Sequence, residues 1–255
     1  MAGAAVIPSG SGAVAAARRR LRGGPEPLSW RLYTLPVCAS TELVLDRLLG
    51  AGATAPLAVL ARRQNHGHGQ QGRPWCSPPG GVWLSAALPW PEQPEGTAAL
   101  ALAVAVGLAL ELEQLGLQPW IKWPNDLLLH GRKLAGVLPR LRWRGGRIQG
   151  ARVGLGLNGC NAVPPEGINL AKALACPHHP QAQPQRLAGR VLRALEWASA
   201  QARQPELVRC QAERRLWRLG SVEHGGLLWQ PQGLALDGAL VLQRGQERVC
   251  LQRSF

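Results

Sequence analysis

The chain has 255 residues, of which 46% are hydrophobic, and a formal net charge of +14 at pH 7. That length and apolar share call for one full-sized domain with a real core and a small appendage, and they exclude a disordered or fibrous chain. Six cysteines without a Cys-x-x-Cys pair exclude a dense disulfide framework and favour a reducing, cytoplasmic compartment.

A strongly basic chain usually seeks phosphates or an acidic partner. Here the whole sequence is rich in Arg, Ala, Gly and Pro, so the charge alone assigns nothing. The lysines are more telling. Only three occur among 29 strong bases, Lys122, Lys133 and Lys172. A chain that uses arginine by default keeps lysine where a compact ammonium is needed.

Residues 1–27 contain Arg18-Arg19-Arg20 and Gly-Gly-Pro but no apolar stretch of signal-peptide length, and read as a disordered leader. LSWRLYTLPV (28–37) reads as a strand. Ser40 or Thr41 then caps a helix LVLDRLLGAG by accepting from free amides of its first turn. LAVLARRQ (57–64) and VWLSAALPW (82–90) are strands flanking a glycine-rich loop. Residues 97–115 are apolar almost all round, but Glu111 and Glu113 interrupt them short of the roughly 20 clean residues a membrane span needs, so a buried helix is expected.

Beyond it come a strand leading into IKWPNDLLL, a tight HGRK turn, the strand LAGVLPRLRW, a hairpin turn, and RIQGARVGLGLN (147–158). Residues 186–218 read as two helices. From about Leu219 the pattern shortens to alternating runs broken by glycine, which predicts a small antiparallel sheet or barrel with a turn at Asp237-Gly238. Cys176-Pro-His178-His179 lacks a fourth metal ligand and reads as a turn.

Three stretches carry chemistry. The loop Gly67-His68-Gly69-Gln70-Gln71-Gly72-Arg73 joins two strands. It is therefore neither a dinucleotide fingerprint, which opens a helix, nor a Walker loop, which ends in Gly-Lys-[Ser/Thr]. Its bare amides suit an anion nest; Arg73 supplies charge and Trp75 a flat stacking surface. In Lys122-Trp123-Pro124-Asn125-Asp126 the proline breaks a strand and frees Asn125 and Asp126 at its mouth, with Lys133 and Gly136 close behind. Asp126 could hold magnesium or a ribose hydroxyl, and both lysines could meet phosphate or a developing carboxylate charge. Gly154 and Gly156 strip side chains from one face of a strand ending at Asn158, so that a ligand or another backbone can approach.

Taken in order, Gln-x-x-Gly-x-Gly-x-x-Gly-Arg-x-Trp-x-Ser-Pro-x-Gly, Lys-Trp-Pro-Asn-Asp with Arg-Lys-Leu-Ala-Gly, and Gly-x-Gly-x-Asn closely resemble the biotin protein ligases, over about residues 30–255. The resemblance implies an α/β (α+β) catalytic domain with a mixed sheet, like that of class II aminoacyl-tRNA synthetases, over residues 28–211. A small SH3-like β-barrel would follow over 212–255.

It implies biotin and ATP with Mg2+, formation of biotinyl-5′-AMP, and transfer of biotin to one lysine of the biotin carboxyl carrier protein of acetyl-CoA carboxylase. Ser40, Thr41, Gln64, Gly67, His68, Gly69, Gln70, Lys133, Gly136, Gly154 and Gly156 would line the biotin site. Arg73, Trp75, Lys122, Asn125, Lys133 and Asn158 would meet ATP and the adenylate. Lys133, Arg73, Asp126 and Lys122 would be catalytic, with Asp126 the candidate magnesium ligand.

Two departures stand out. The family loop is commonly Gly-Arg-Gly-Arg-x-Gly-Arg, whereas His68 and Gln70 replace its first two arginines here. Glu42 also stands where Asn is usual. About 12 residues between Leu28 and Ser40 leave no room there for a DNA-binding winged helix, so a monofunctional enzyme without a specific nucleic-acid or membrane partner is expected, as monomer or homodimer. The alternatives are a lipoate or octanoate transferase of the same fold, an inactive biotin sensor, and a basic nucleic-acid-binding protein.

Overall fold

The computed structural model describes residues 11–21, 23–217 and 220–252. Strands β1 (Arg31–Cys38) and β2 (Leu57–Gln64) pair in parallel, joined by helix α2 (Thr41–Gly50). A parallel pair needs such a crossover, and α2 supplies it. Leu57 and Val59 alternate with Ala58 along β2, so the first two pack under Leu45 of α2 while Ala58 joins the main core behind the sheet.

Strands β3 (Val82–Leu88), β4 (Trp120–Lys122), β5 (Asp126–Leu129), β6 (Arg132–Arg144) and β7 (Arg147–Leu157) complete a seven-stranded mixed sheet in the order β1-β2-β3-β7-β6-β5-β4. All the later pairings are antiparallel.

Helix α3 (Leu100–Glu113) covers the face of the sheet away from α2. Twelve of its 14 residues are buried, because the sheet lies on one side and a later helix, α5, on the other. A short helix, α4 (Leu170–Ala173), precedes α5 (Pro184–Ala200) and α6 (Pro205–Glu213). Gly107 lets α3 and α5 meet closely: a Cβ there would stand 2.4 Å from the carbonyl oxygen of Ala194.

Glu111 is buried in this layer and accepts from Arg193 Nη2 at 2.8 Å and Arg190 Nη1 at 3.2 Å. Burial pulls the Arg190 guanidinium below its ordinary value, and Glu111 opposes that pull. The glutamate that argued against a membrane span is thus a paired charge inside a helical layer. Among the described residues no helix is long and apolar enough to cross a membrane.

The tail forms a separate antiparallel sheet of β8 (Val222–His224), β9 (Leu227–Leu234), β10 (Leu240–Arg244) and β11 (Glu247–Leu251), in the order β11-β10-β9-β8. Its Asp237-Gly238 turn presses on α3, where a Cβ on Gly238 would stand 2.5 Å from Ala99 Cβ. Trp123 Nε1 donates to the Gly238 carbonyl at 2.9 Å, tying this small sheet to the Lys-Trp-Pro-Asn-Asp turn. A small C-terminal antiparallel sheet matches the SH3-like expectation.

The leader departs from expectation. Residues 1–10 and 22 lie outside the described residues, but Ser11–Arg20 is a helix, α1, and not disordered chain. It packs on α5 at Gly189, where a Cβ would stand 2.8 Å from the Arg18 amide nitrogen. Arg18 Nε donates to the Glu196 carboxylate at 2.6 Å, and both residues are buried. Trp30 Nε1 donates to the other oxygen of Glu196 at 2.9 Å. One carboxylate inside α5 therefore gathers α1 and the segment before β1, which the arginine run could not reveal without its partner.

Glu196→Ala leaves the Arg18 charge buried and alone. It is expected to lower unfolding free energy by about 3–5 kcal/mol in urea titrations and to open α1 to limited proteolysis.

Candidate active site

The candidate site is a cleft of about 370 Å³ on the α2 face of the sheet. Directly opposed residues in antiparallel strands share a face. One such row therefore crosses the sheet through Trp83, Gly156, Gly136, Asp126 and Lys122. A neighbouring row carries Ser85, Gly154 and Leu138. The glycines of two separate motifs thus become one patch without side chains.

The indole of Trp75 lies on that patch. A Cβ on Gly156 would stand 2.5 Å from its ring, and one on Gly136 would stand 3.3 Å away. What approaches the bare strand is the loop's own tryptophan. Gly154 faces Leu138 at an ordinary 3.5 Å and lines the cleft without touching the indole.

Lys133 reaches the same place by a β-bulge. Leu127 opposes Ala135 and Leu128 opposes Lys133, so β6 carries one extra residue between them. Strict alternation would put Lys133 and Gly136 on opposite faces, and the bulge corrects this. Leu134 goes fully into the core while Lys133 turns into the cleft. There its Nζ is 2.8 Å from Asp126 Oδ1 and 5.0 Å from the centre of the Trp75 ring. The Lys133 backbone is clamped from both sides, its amide donating to Glu166 O at 3.1 Å and its carbonyl accepting from Ile168 at 2.9 Å.

The loop is a short hairpin. His68 bridges Pro74, the Trp75 amide donates to Gly67 O, and a 3-10 turn at Gln70–Gly72 closes the tip. Gln64 organises its base. The Gln64 Oε1 accepts from the Thr41 amide at 2.8 Å and the Thr41 hydroxyl at 3.0 Å, while its Nε2 donates to Ser77 Oγ at 3.0 Å. Ser40 acts as the cap of α2, its hydroxyl accepting from the Glu42 amide at 3.2 Å. Two buried donors at the cleft, Gln70 Nε2 and Trp75 Nε1, have no partner among the described residues. Just outside, burial pushes the Cys38 thiol up, which keeps it protonated near neutral pH.

Most of the residues expected at the site line this cleft, including His68, Gly69, Arg73 and Asn158. Three differ in role. Gly67 is buried in the neck of the hairpin, where a Cβ would stand 2.6 Å from Ser77 Oγ; it serves packing and not the cleft. Lys122 is exposed on edge strand β4, one strand beyond Asp126, and does not line the cleft. Asn125 lines it, but its amide donates to Val137 O at 2.7 Å and so holds the turn to β6.

Asp126 is held by the Lys133 ammonium, and no group of three His, Cys, Asp or Glu that could hold a metal occurs among the described residues. A lone paired carboxylate does not fit a resident ion; it fits magnesium that arrives on nucleotide phosphates.

Sequence reasoning missed Ser85, which is buried on β3 with its hydroxyl 2.8 Å from that of Thr41. The available signal was a lone hydroxyl inside the apolar strand VWLSAAL. It also missed Glu166 and Gly167, whose loop nothing in the sequence marks.

The model of the biotin/lipoate A/B protein ligase family matches residues 35–158, which span α2, the loop, the bulge and the glycine row. The chain is 35% identical over 138 residues to the bifunctional ligase/repressor BirA of Bacillus subtilis, covering 52% of this chain and 42% of that protein. It is 38% identical over 117 residues to the biotin–[acetyl-CoA-carboxylase] ligase of Paracoccus denitrificans, covering 43% of this chain and 47% of that one. The alignments thus span less than half of each curated relative.

The fold is shared more widely. Biotin protein ligase from Aquifex aeolicus, solved in complex with biotin and ATP, superposes with a TM-score of 0.67 at 23% identity, covering 86% of this chain and 94% of that one. The enzyme from Helicobacter pylori superposes at 0.57, with 22% identity over 86% and 98% of the two chains.

If the glycine row exists to seat the indole, Gly156→Ala expels Trp75. Stability is expected to fall by about 1–3 kcal/mol, and acrylamide quenching of tryptophan fluorescence to rise. A Trp75→Phe background is expected to show no such rise.

Proposed function

We propose that this protein is an ATP-dependent biotin–protein ligase, which makes biotinyl-5′-AMP and passes biotin to a lysine of a biotin carboxyl carrier protein, that of acetyl-CoA carboxylase. The observation that carries the reading is Lys133, placed by the bulge 2.8 Å from Asp126 in a cleft covered by a glycine hairpin. The family match over residues 35–158 and the curated relatives support it. So does the size of the cleft, which falls in the range of small-molecule sites.

The chemistry follows from the residues. A biotin carboxylate oxygen attacks the α-phosphorus of MgATP; the new P–O bond forms as the bond to pyrophosphate breaks and pyrophosphate leaves with its electron pair. Lys133 meets the negative charge shared between carboxylate and phosphate, and Asp126 holds that ammonium in place. Arg73, exposed on the hairpin, meets the phosphates.

In the second step the carrier's lysine amine attacks the acyl carbon, AMP leaves, and Asp126 takes the amine's proton. Catalysis rests on positioning and charge neutralisation, with no covalent bond to the enzyme. The mixed anhydride hydrolyses in water, so the hairpin's cover is part of the chemistry. Gln70 Nε2 and Trp75 Nε1 fit this reading as well. An unpaired buried donor costs about 1–3 kcal/mol, which an acceptor on the ureido or purine ring would recover. The reaction belongs in the cytoplasm, where ATP and the carrier are found together.

The test is incubation with ATP, magnesium, labelled biotin and a purified biotin carrier domain. Carrier labelling is expected, and Lys133→Ala is expected to lower its rate on the order of 10²–10³-fold, as for loss of one charge-stabilising donor. A wild-type protein that labels no carrier and forms no adenylate rules the reading out. Labelling with lipoate or octanoate instead would move it to the related transferases.

A further inference from the structure

Two of the departures from the family's usual residues, Glu42 and His68, lie 26 positions apart in sequence, and the fold brings them together. His68 Nε2 stands 2.8 Å from one oxygen of the Glu42 carboxylate, and Arg140 Nε stands 2.9 Å from the other. The Glu42 side chain is 12% exposed, so the carboxylate is held largely out of water. The three residues belong to different elements: Glu42 lies in the first turn of α2, His68 in the hairpin, and Arg140 in β6. Glu42 and His68 both line the cleft.

We propose that Glu42 is a positioning residue that latches the glycine hairpin over the cleft through His68, in place of the arginines the hairpin lacks. The inference rests on the ligase reading of the cleft. His68 is the right end of the hairpin to hold. It bridges Pro74, and the next residue, Trp75, lies on the glycine row beside Lys133. A tie at His68 therefore fixes the indole and the lid together. Arg140 is half exposed and adds less, since water screens it; its part is to keep the carboxylate facing the hairpin. Removing either Glu42 or His68 frees the hairpin to the same extent, so the two losses are not additive. Any side-chain donor at position 68 that reaches Glu42 should serve, but only while Glu42 is present.

The experiment measures biotin affinity by calorimetry and the release of biotinyl-5′-AMP by rapid filtration, on the full chain and on Glu42→Ala, His68→Ala, the double alanine variant, His68→Arg, and His68→Arg combined with Glu42→Ala. Each single alanine variant is expected to release the adenylate on the order of tenfold faster, as for loss of one hydrogen bond to a charged group. The effect should fall on KM for biotin more than on kcat. The double variant is expected to match the singles. His68→Arg should retain the adenylate like wild type, and lose that retention when Glu42 is removed.

Equal release from wild type and both alanine variants overturns the latch, as do additive effects in the double variant; either leaves the ligase reading standing. A wild type that takes up no biotin removes the ligase reading and the latch with it.

Discussion

The site depends on one ammonium ion held between a carboxylate and an aromatic ring. Lys133 Nζ stands 2.8 Å from Asp126 and 5.0 Å from the centre of the Trp75 indole, and each partner comes from a different part of the chain. A lysine carries a compact charge on a flexible stem, so it serves only where its surroundings fix the stem. Here the backbone of Lys133 is clamped by the Glu166–Ile168 segment, and the bulge in β6 sets its direction. The charge lies where negative charge would gather, and it is partly dehydrated before any ligand arrives.

The rest of the cleft can be read as support for that arrangement. Trp75 reaches the ammonium because Gly136 and Gly156 leave a flat floor for its ring. The hairpin that delivers Trp75 is rooted by Gln64, whose amide joins α2 to Ser77 on the hairpin's return side. Its far side is tied to α2 through His68 and Glu42. A loop rich in glycine loses much conformational entropy on ordering, so it needs such ties to lie over a cleft at all. The helix α2 thus has two tasks, closing the parallel crossover and anchoring the lid at both ends.

Behind the sheet, the helical layer holds this geometry rigid. α3 is buried on nearly every side, and the charges inside the layer are paired: Glu111 with Arg190 and Arg193, Glu196 with Arg18. Such pairs contribute less to net stability than their contacts suggest, but they fix which helix packs where. Through Glu196, α1 becomes part of the layer. The tail sheet is pinned to α3 at Gly238 and to the Trp123 indole, so the turn that presents Asp126 is braced from both sheets.

Much of this was legible along the chain. Local patterning located β2 to the residue, and the apolar run of α3, the Ser40 cap and the Asp237-Gly238 turn all stand where it put them. These features depend on neighbours within a few residues, and a sequence states those directly. The motifs likewise named most of the cleft, because residue type limits the chemistry a position can do. What the chain could not state is which distant residues meet. The expected disordered leader is a helix from Ser11, because Glu196 waits for Arg18 some 178 positions away. Lys122 falls outside the cleft because sheet order places β4 at the edge. Lys133 faces inward only because a bulge breaks the strand's period, and Glu42 and His68 look like separate departures until the fold joins them. Local propensity determined the elements and the kinds of chemistry available. Tertiary packing decided which charges found partners, since an ion pair depends on distance in space and not on separation in sequence.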